Sequence, residues 1–350
     1  MAPSSRAVMS AYERKQWDAL RQAATGAEPP GWFEGVSQGI ADRTKDVVGK
    51  IRSGVEQVPG ATAAIGKADQ LTTKALETLH TVLVERGLNS VKPANVFAMF
   101  ADDGITVQSY GEVKSLDLKH CDRSVPRRKD RYVALAVAEG VATSLAVTGT
   151  AVSSTVTGGT TLPVAASAVV ADVTAVLVGM GRIVALVAAH YGYDVREPDE
   201  QAFASGVIAY STAGNSAERA AALASLARLT QQMMSQASWH QLQPQQADNV
   251  IQQVSMALGF RLAKRKLAQA VPILGAVVNG GLNARIAQQT FERSQQAYRL
   301  RFLTEKYGLD AGQWAPDTSS GEDVDIPLID EILDRSAPRS QPGGEDIQQP

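Results

Sequence analysis

The sequence predicts an all-α fold: a helical bundle around a hairpin of small-residue (Ala/Gly/Thr/Val) helices, with amphipathic N-terminal helices and a disordered acidic C-terminal tail. Three observations carry this. The 62 residues from Tyr132 to Tyr193 hold only three formal charges, Glu139, Asp172 and Arg182, with none between Gly140 and Ala171. Such a run must be buried in protein, buried in lipid, or folded back on itself. The chain is 44% hydrophobic but only 5% aromatic, so its core must be built of Ala, Val and Leu. Small side chains of this kind let helices approach closely. Around the charge-poor stretch, apolar residues recur at helical spacing between Pro and Gly breaks.

Taken in order, Ser5 to Ala24 reads as a short amphipathic helix with Val8, Tyr12, Trp17 and Leu20 as its apolar positions. Glu28-Pro29-Pro30-Gly31 breaks it. Trp32 to Val58 is a second helical pattern, ended by Pro59-Gly60, and Lys67 to Arg86 a third, stopped by Gly87. Asp102-Asp103-Gly104 is a turn, and Ile105 to Val107 reads as a short strand. Leu116 to Arg131 is polar and basic. The charge-poor stretch then forms a hairpin: a helix from Asp130 to about Thr150, a bend through Thr157–Pro163, and a helix from Pro163 to His190. Pro163 stands in the first turn of that second helix, where its missing N–H costs nothing. Tyr191-Gly192-Tyr193-Asp194 closes it.

Glu200 to Ser211, Ala217 to Gln236 and Asn249 to Gln269 are further helices. Val271 to Ala284 is an apolar run of 14 residues, too short to span a bilayer of about 30 Å, and it leads into a helix from Arg285 to Tyr307. From Asp310 to Pro350 there are ten acidic and two basic residues, a composition expected to be disordered. Within it the apolar island 326–333 is a candidate docking peptide for a protein partner. The chain thus divides into 1–31 (N-terminal amphipathic helix and linker), 32–309 (helical domain) and 310–350 (acidic tail).

Several function classes are disfavoured. A net charge of −2 argues against a nucleic-acid binder working by bulk electrostatics. Cys121 is the sole cysteine, so no intramolecular disulfide and no cysteine-rich zinc site can form. His80, His120, His190 and His240 never pair at i, i+4, and no metal site is expected. The sequence contains no Gly-x4-Gly-Lys-Ser/Thr loop, so P-loop chemistry is not expected, nor is any cofactor. Gly179, Gly181, Gly158 and Gly159 read as packing or bend glycines. The first 30 residues lack the apolar core of a secretory signal, which leads us to expect a cytoplasmic protein.

Ala138-Glu139-Gly140-Val141-Ala142-Thr143, Leu162-Pro163-Val164-Ala165-Ala166 ahead of Asp172, Tyr191-Gly192-Tyr193-Asp194 followed by Glu197-Pro198-Asp199-Glu200 and Phe203, and Val271-Pro272-Ile273-Leu274-Gly275-Ala276 with Asn283 occur in that order. Together they resemble the bacterial EcsC family from Leu116 to Tyr307. The acidic residue of the second segment is displaced here. The resemblance implies a mostly helical, often membrane-associated protein with no established catalytic activity, and it supplies no active site to carry over.

Among individual residues, Glu139 and Asp172 are acids inside apolar helices. An unpaired charge in such a setting costs several kcal/mol, about 2.5–3.5 on insertion scales. A structural ion pair or hydrogen bond is the favoured role for each, and a functional acid the alternative. Glu139 could meet Arg182 or Arg131 if the hairpin closes. Asp172 lies about 15 Å along the helix from Arg182, so those two do not pair. Arg123, Arg127, Arg128, Lys129 and Arg131 precede the first apolar helix, and Arg261, Lys264, Arg265 and Lys266 precede the second apolar run. Beside apolar elements, such clusters read as contacts to anionic lipid headgroups, worth about 1 kcal/mol per charge.

Two functional readings follow. In the first, the protein is non-enzymatic and contacts the cytoplasmic leaflet of the cell membrane through the 132–193 hairpin and the basic clusters. In the second, it is a soluble helical bundle that binds a protein partner through its acidic tail.

Overall fold

The computed structural model describes residues 8–25, 79–125, 161–235, 244–269, 277–318 and 324–336. Every regular element among them is helical. They are α1 (Ala11–Thr25), α2 (Leu79–Val82, prolonged by a wide turn Leu83–Gly87 and a tight one Leu88–Ser90), α3 (Pro93–Asp102), α4 (Tyr110–Ser115) and α5 (Leu118–Ser124). After these come α6 (Thr161–His190), α7 (Pro198–Thr212), α8 (Ser216–Ser235), α9 (Pro244–Gln269), α10 (Val277–Tyr307) and α11 (Ile329–Ser336), with a short 3-10 turn at Ala311–Trp314. Trp32–Val58, most of Lys67–Arg86 and the first arm of the expected hairpin lie outside the described residues. Ile105–Val107 is not a strand. It has no strand to pair with among the described residues, and it packs on the core through Val107 and Ile105.

The centre of the molecule is the second half of α6. Val173, Leu177, Met180 and nearly every residue from Ile183 to Ala189 are buried. A helix apolar all round has no face to give to water and must be enclosed. The enclosing helices are α2, α3, α7, α9 and α10. Val173–His190 is long and apolar enough to cross a bilayer, yet 72% of it is buried inside the protein. One crossing is unusually close: a Cβ on Gly181 would stand 2.7 Å from Leu83 Cδ1 and 3.2 Å from the Cα of Gly87. Glycine at both positions lets the turn after α2 lie directly on α6.

The helix directions follow from side-chain pairs. α7 runs antiparallel to α10, since Glu200 meets Arg301, Phe203 meets Tyr298, and Tyr210 meets Gln296 and Arg293. α6 ends beside the end of α10, where Tyr191 packs on Phe302 and Tyr193 on Tyr298. Arg261 of α9 reaches Glu218, just beyond the end of α7. A 30-residue helix such as α6 is about 45 Å long, so its start lies at the opposite end of the bundle from His190. One end, the turn end, therefore gathers the end of α6, the start of α7 and the end of α10. The other, the far end, holds the start of α6 and of α10 and the end of α9, whereas α7, only 15 residues long, stops about halfway, level with Arg293 of α10.

Two boundaries differ from the sequence expectation. Helix α1 packs on α5, α8 and α10 through Trp17, Leu20 and Ala24, so it is part of the body. Residues 310–318 and 324–336, expected to be disordered, are folded: Trp314 is buried and donates to Thr304 Oγ1 at 3.0 Å. Ile326, Ile329, Ile332 and Leu333 are buried as well, with α11 lying on α7, α8 and α9. Overall composition hides these few aliphatic and aromatic anchors.

Candidate functional site: the buried ion cluster at the turn end

The densest polar chemistry in the described residues surrounds the turn between α6 and α7. Gly192 makes that turn possible. Its φ is +85°, in the region glycine favours, and a Cβ there would lie 2.6 Å from Lys114 Cγ and 2.7 Å from the Tyr110 carbonyl oxygen. The backbone closes with Tyr193 N–H donating to Ala188 O at 3.0 Å. Asp194 accepts from Arg196 Nε at 2.7 Å, and Pro198 occupies the first turn of α7, which suits its fixed φ.

This turn delivers two tyrosines and a glutamate to α10. Arg301, only 2% exposed, grips both oxygens of Glu200 at 2.7 Å each and Glu305 Oε1 at 2.6 Å. Its guanidinium stacks 4.2 Å from the Tyr193 ring centroid and 4.3 Å from that of Phe203, adding a cation–π contact. Tyr193 donates to Glu305 Oε2 at 3.1 Å, and Lys114 Nζ stands 3.7 Å from the same oxygen. Burial draws the Arg301 pKa down, but Glu200 and Glu305 outweigh it and hold the guanidinium charged. Burial raises the Glu200 carboxyl above its ordinary value against the pull of Arg301. Glu305 is likewise opposed by burial, yet Arg301 and Lys114 bring it below its ordinary value. Removing one partner from such a buried pair costs about 3–5 kcal/mol, because the other charge is stranded.

A second knot lies alongside. Asp122 Oδ1 accepts from Tyr191 OH and from Arg299 Nε, both at 2.7 Å, and Oδ2 accepts from Tyr12 OH at 2.8 Å. Burial, then the hydrogen bond to Asp122, pushes the Tyr12 hydroxyl up to about 12. A third knot is Glu13, 1% exposed. Ser10 and Glu13 form a capping box, Glu13 N–H to Ser10 Oγ and Ser10 N–H to Glu13 Oε2, both 3.1 Å. The same carboxylate accepts from Leu118 N–H, Lys306 Nζ and Tyr307 OH. Burial opposes its charge, but Lys306, Tyr307 and the backbone donors hold its pKa at about 2.

The carboxylates of Glu13, Asp122, Glu200 and Glu305 are all engaged by protein donors, so the cluster acts as a clamp. Among the described residues no three His, Cys, Asp or Glu side chains converge to hold a metal. Cys121 is buried and its thiol is pushed up by burial, which makes it unreactive. His190 is a core residue, with Nδ1 2.8 Å from Leu186 O and the ring near Phe100.

Among the described residues, those singled out by sequence are not brought together. Glu139, Arg127, Arg128, Lys129 and Arg131 lie outside the described residues, and so do the side chains of Asp172, Lys264, Arg265 and Lys266. Asp172 stands on α6, and the three basic residues on the last two turns of α9. Arg182 donates to the Arg86 carbonyl at 2.9 Å. Arg123 is exposed on α5, at the turn end. Arg261 departs from its expected role as a headgroup contact: its Nη2 lies 2.5 Å from Glu218 and its Nη1 donates to the Asp325 carbonyl. With its side chain 12% exposed and its charge paired to Glu218, Arg261 faces the protein interior. Sequence reasoning passed over Arg299, Arg301, Glu305, Asp122 and Glu13. Two local signals were available, the Ser10-x-x-Glu13 capping box and the i, i+4 pair Arg301–Glu305.

The fold and clamp define an all-α bundle with a charge-poor central helix, pinned by buried ion pairs that tie α1, α4 and α5 to α6, α7 and α10. Residues 146–303 match the model of the EcsC protein family. The matched region contains Tyr191, Tyr193, Glu200, Arg299 and Arg301, whereas Tyr12, Glu13, Lys114, Asp122 and Glu305 lie outside it. No curated protein and no solved structure matches the chain.

Proposed function

We propose that this protein is a non-enzymatic, membrane-associated member of the EcsC family that touches the anionic cytoplasmic leaflet with the far end of its bundle. The observation that carries the reading is topological. Two charge-poor sequence runs enter helices at that one end: Gly140–Ala171 leads into the start of α6, and Val271–Ala284 into the start of α10. Lys264, Arg265 and Lys266 stand on the last turns of α9 at the same end. Apolar backbone flanked by cations is the pattern that suits an anionic leaflet, with about 1 kcal/mol per basic residue near the surface.

The enclosed half of α6, Val173–His190, takes no part in this contact, since its side chains already form the core. The contact therefore belongs to residues ahead of Val173 and not to the whole 132–193 stretch. The ion clamp at the turn end keeps the bundle closed while the far end meets lipid.

Flotation of the purified chain with phosphatidylcholine vesicles, with and without phosphatidylglycerol, tests this at low and high salt. Flotation that requires phosphatidylglycerol and weakens at high salt is expected. A chain that stays at the bottom of the gradient with both kinds of vesicle overturns the reading.

A further inference from the structure

The C-terminal segment that folds back on the body covers a surface with its own chemistry. We propose that the surface beneath α11 is a second anionic-lipid site, held shut in cis by the chain's own acidic segment; this rests on the membrane reading above. Its floor is apolar and shaped. A Cβ on Gly206 of α7 would stand 2.8 Å from Ile329 Cγ1 and 2.9 Å from Leu226 Cδ2, so the glycine makes room for the inserted isoleucine. Its rim is cationic. Asp330, 5% exposed and set between the buried aliphatics of α11, accepts from Ser225 Oγ and Arg228 Nε. Arg261 donates to the Asp325 carbonyl from the other side.

An apolar floor with a serine hydroxyl and the Arg228 guanidinium at its rim matches an acyl chain and its phosphate, while Arg261 keeps its pair with Glu218 of the body. The present occupant imitates both: four buried aliphatics, and a carboxylate where a phosphate would sit. The segment Val324–Ser336 carries four acids against one base, so the occupant neutralises the rim. The surface is also continuous with the far end. Phe260, 45% exposed, precedes Arg261 on α9, and Lys264, Arg265 and Lys266 follow it. An aromatic side chain turned to solvent beside basic residues is a common membrane-interface pattern. A leaflet that has engaged the end of α9 competes there with α11 for Arg228.

The test opens the segment in the full-length chain in two ways. Ile329→Asp with Ile332→Asp removes its apolar grip, and Asp330→Lys sets a cation against Arg228 without touching the body. Amide exchange over 324–336 reports opening, and circular dichroism reports that the helical body is intact. Each variant is floated with phosphatidylcholine vesicles and with vesicles that also contain phosphatidylglycerol. The opened Ile329→Asp/Ile332→Asp chain is expected to gain about fivefold in phosphatidylglycerol-dependent flotation for the one guanidinium released, Arg228. Adding Arg228→Ala should abolish that gain. If wild type floats and the opened variants float equally well, the masked site falls and the membrane reading stands. If none floats, both fall. If an opened variant dimerises without floating better, the surface takes a helix, and the lipid assignment is overturned.

Discussion

Glu13 holds four hydrogen bonds with one carboxylate: two to backbone N–H groups, at Ser10 and Leu118, and two to Lys306 and Tyr307. Its pKa of about 2 in the folded chain lies below the ordinary 4.5. The unfolded chain therefore binds a proton first as pH falls. The stabilisation is complete above pH 4.5 and is lost as pH drops toward 2. Glu13→Gln is expected to cost about 3 kcal/mol at neutral pH and far less near pH 2. Chemical denaturation at both pH values checks this, and an equal deficit at both contradicts the assignment. At this scale the sequence was legible where partners are near in the chain. The capping box at Ser10 and the Arg301–Glu305 pair could be read directly. Glu200 and Arg301, 101 residues apart, could not, because nothing local distinguishes that arginine from any other on an amphipathic helix.

Among the elements, α6 illustrates why a charge-poor run is ambiguous. Composition requires Val173–His190 to be enclosed but does not say by what, and here protein does so. The glycine reading separates in the same way. Gly181 faces a backbone crossing, whereas nothing lies within 4 Å of where a Cβ on Gly179 would point. Gly179→Ala is therefore expected to stabilise by up to about 1 kcal/mol through helix propensity. Gly181→Val should destabilise by about 1–3 kcal/mol through overpacking against Gly87 and Leu83. Thermal unfolding of the two variants checks the pair, and a stable Gly181→Val chain would contradict the close crossing. Helix α11 shows the opposite limit of composition. Its acidic surroundings predict disorder, but Ile329, Ile332 and Leu333 of the helix are buried, as is Ile326 just ahead of it. The sequence marked this island without indicating that its partner is the chain itself.

For the molecule as a whole, the all-α class was legible from small-residue composition and helical spacing, and the resemblance to the EcsC family from ordered segments, the last three of which lie within the matched residues 146–303. The division of labour between the two ends was not. It depends on helix directions, which only the long-range pairs Glu200–Arg301, Tyr210–Arg293 and Arg261–Glu218 establish. Those pairs assign the clamp to one end and the charge-poor entries of α6 and α10 to the other. The account's central claim is that the far end meets lipid while the clamp stays closed. Amide exchange of the chain bound to phosphatidylglycerol-containing vesicles, compared with the free chain, tests this most directly. Added protection confined to 140–172 and 263–284, with Tyr191–Phe203 unchanged, is the predicted result. Added protection at the turn end, or loss of protection there, would contradict it.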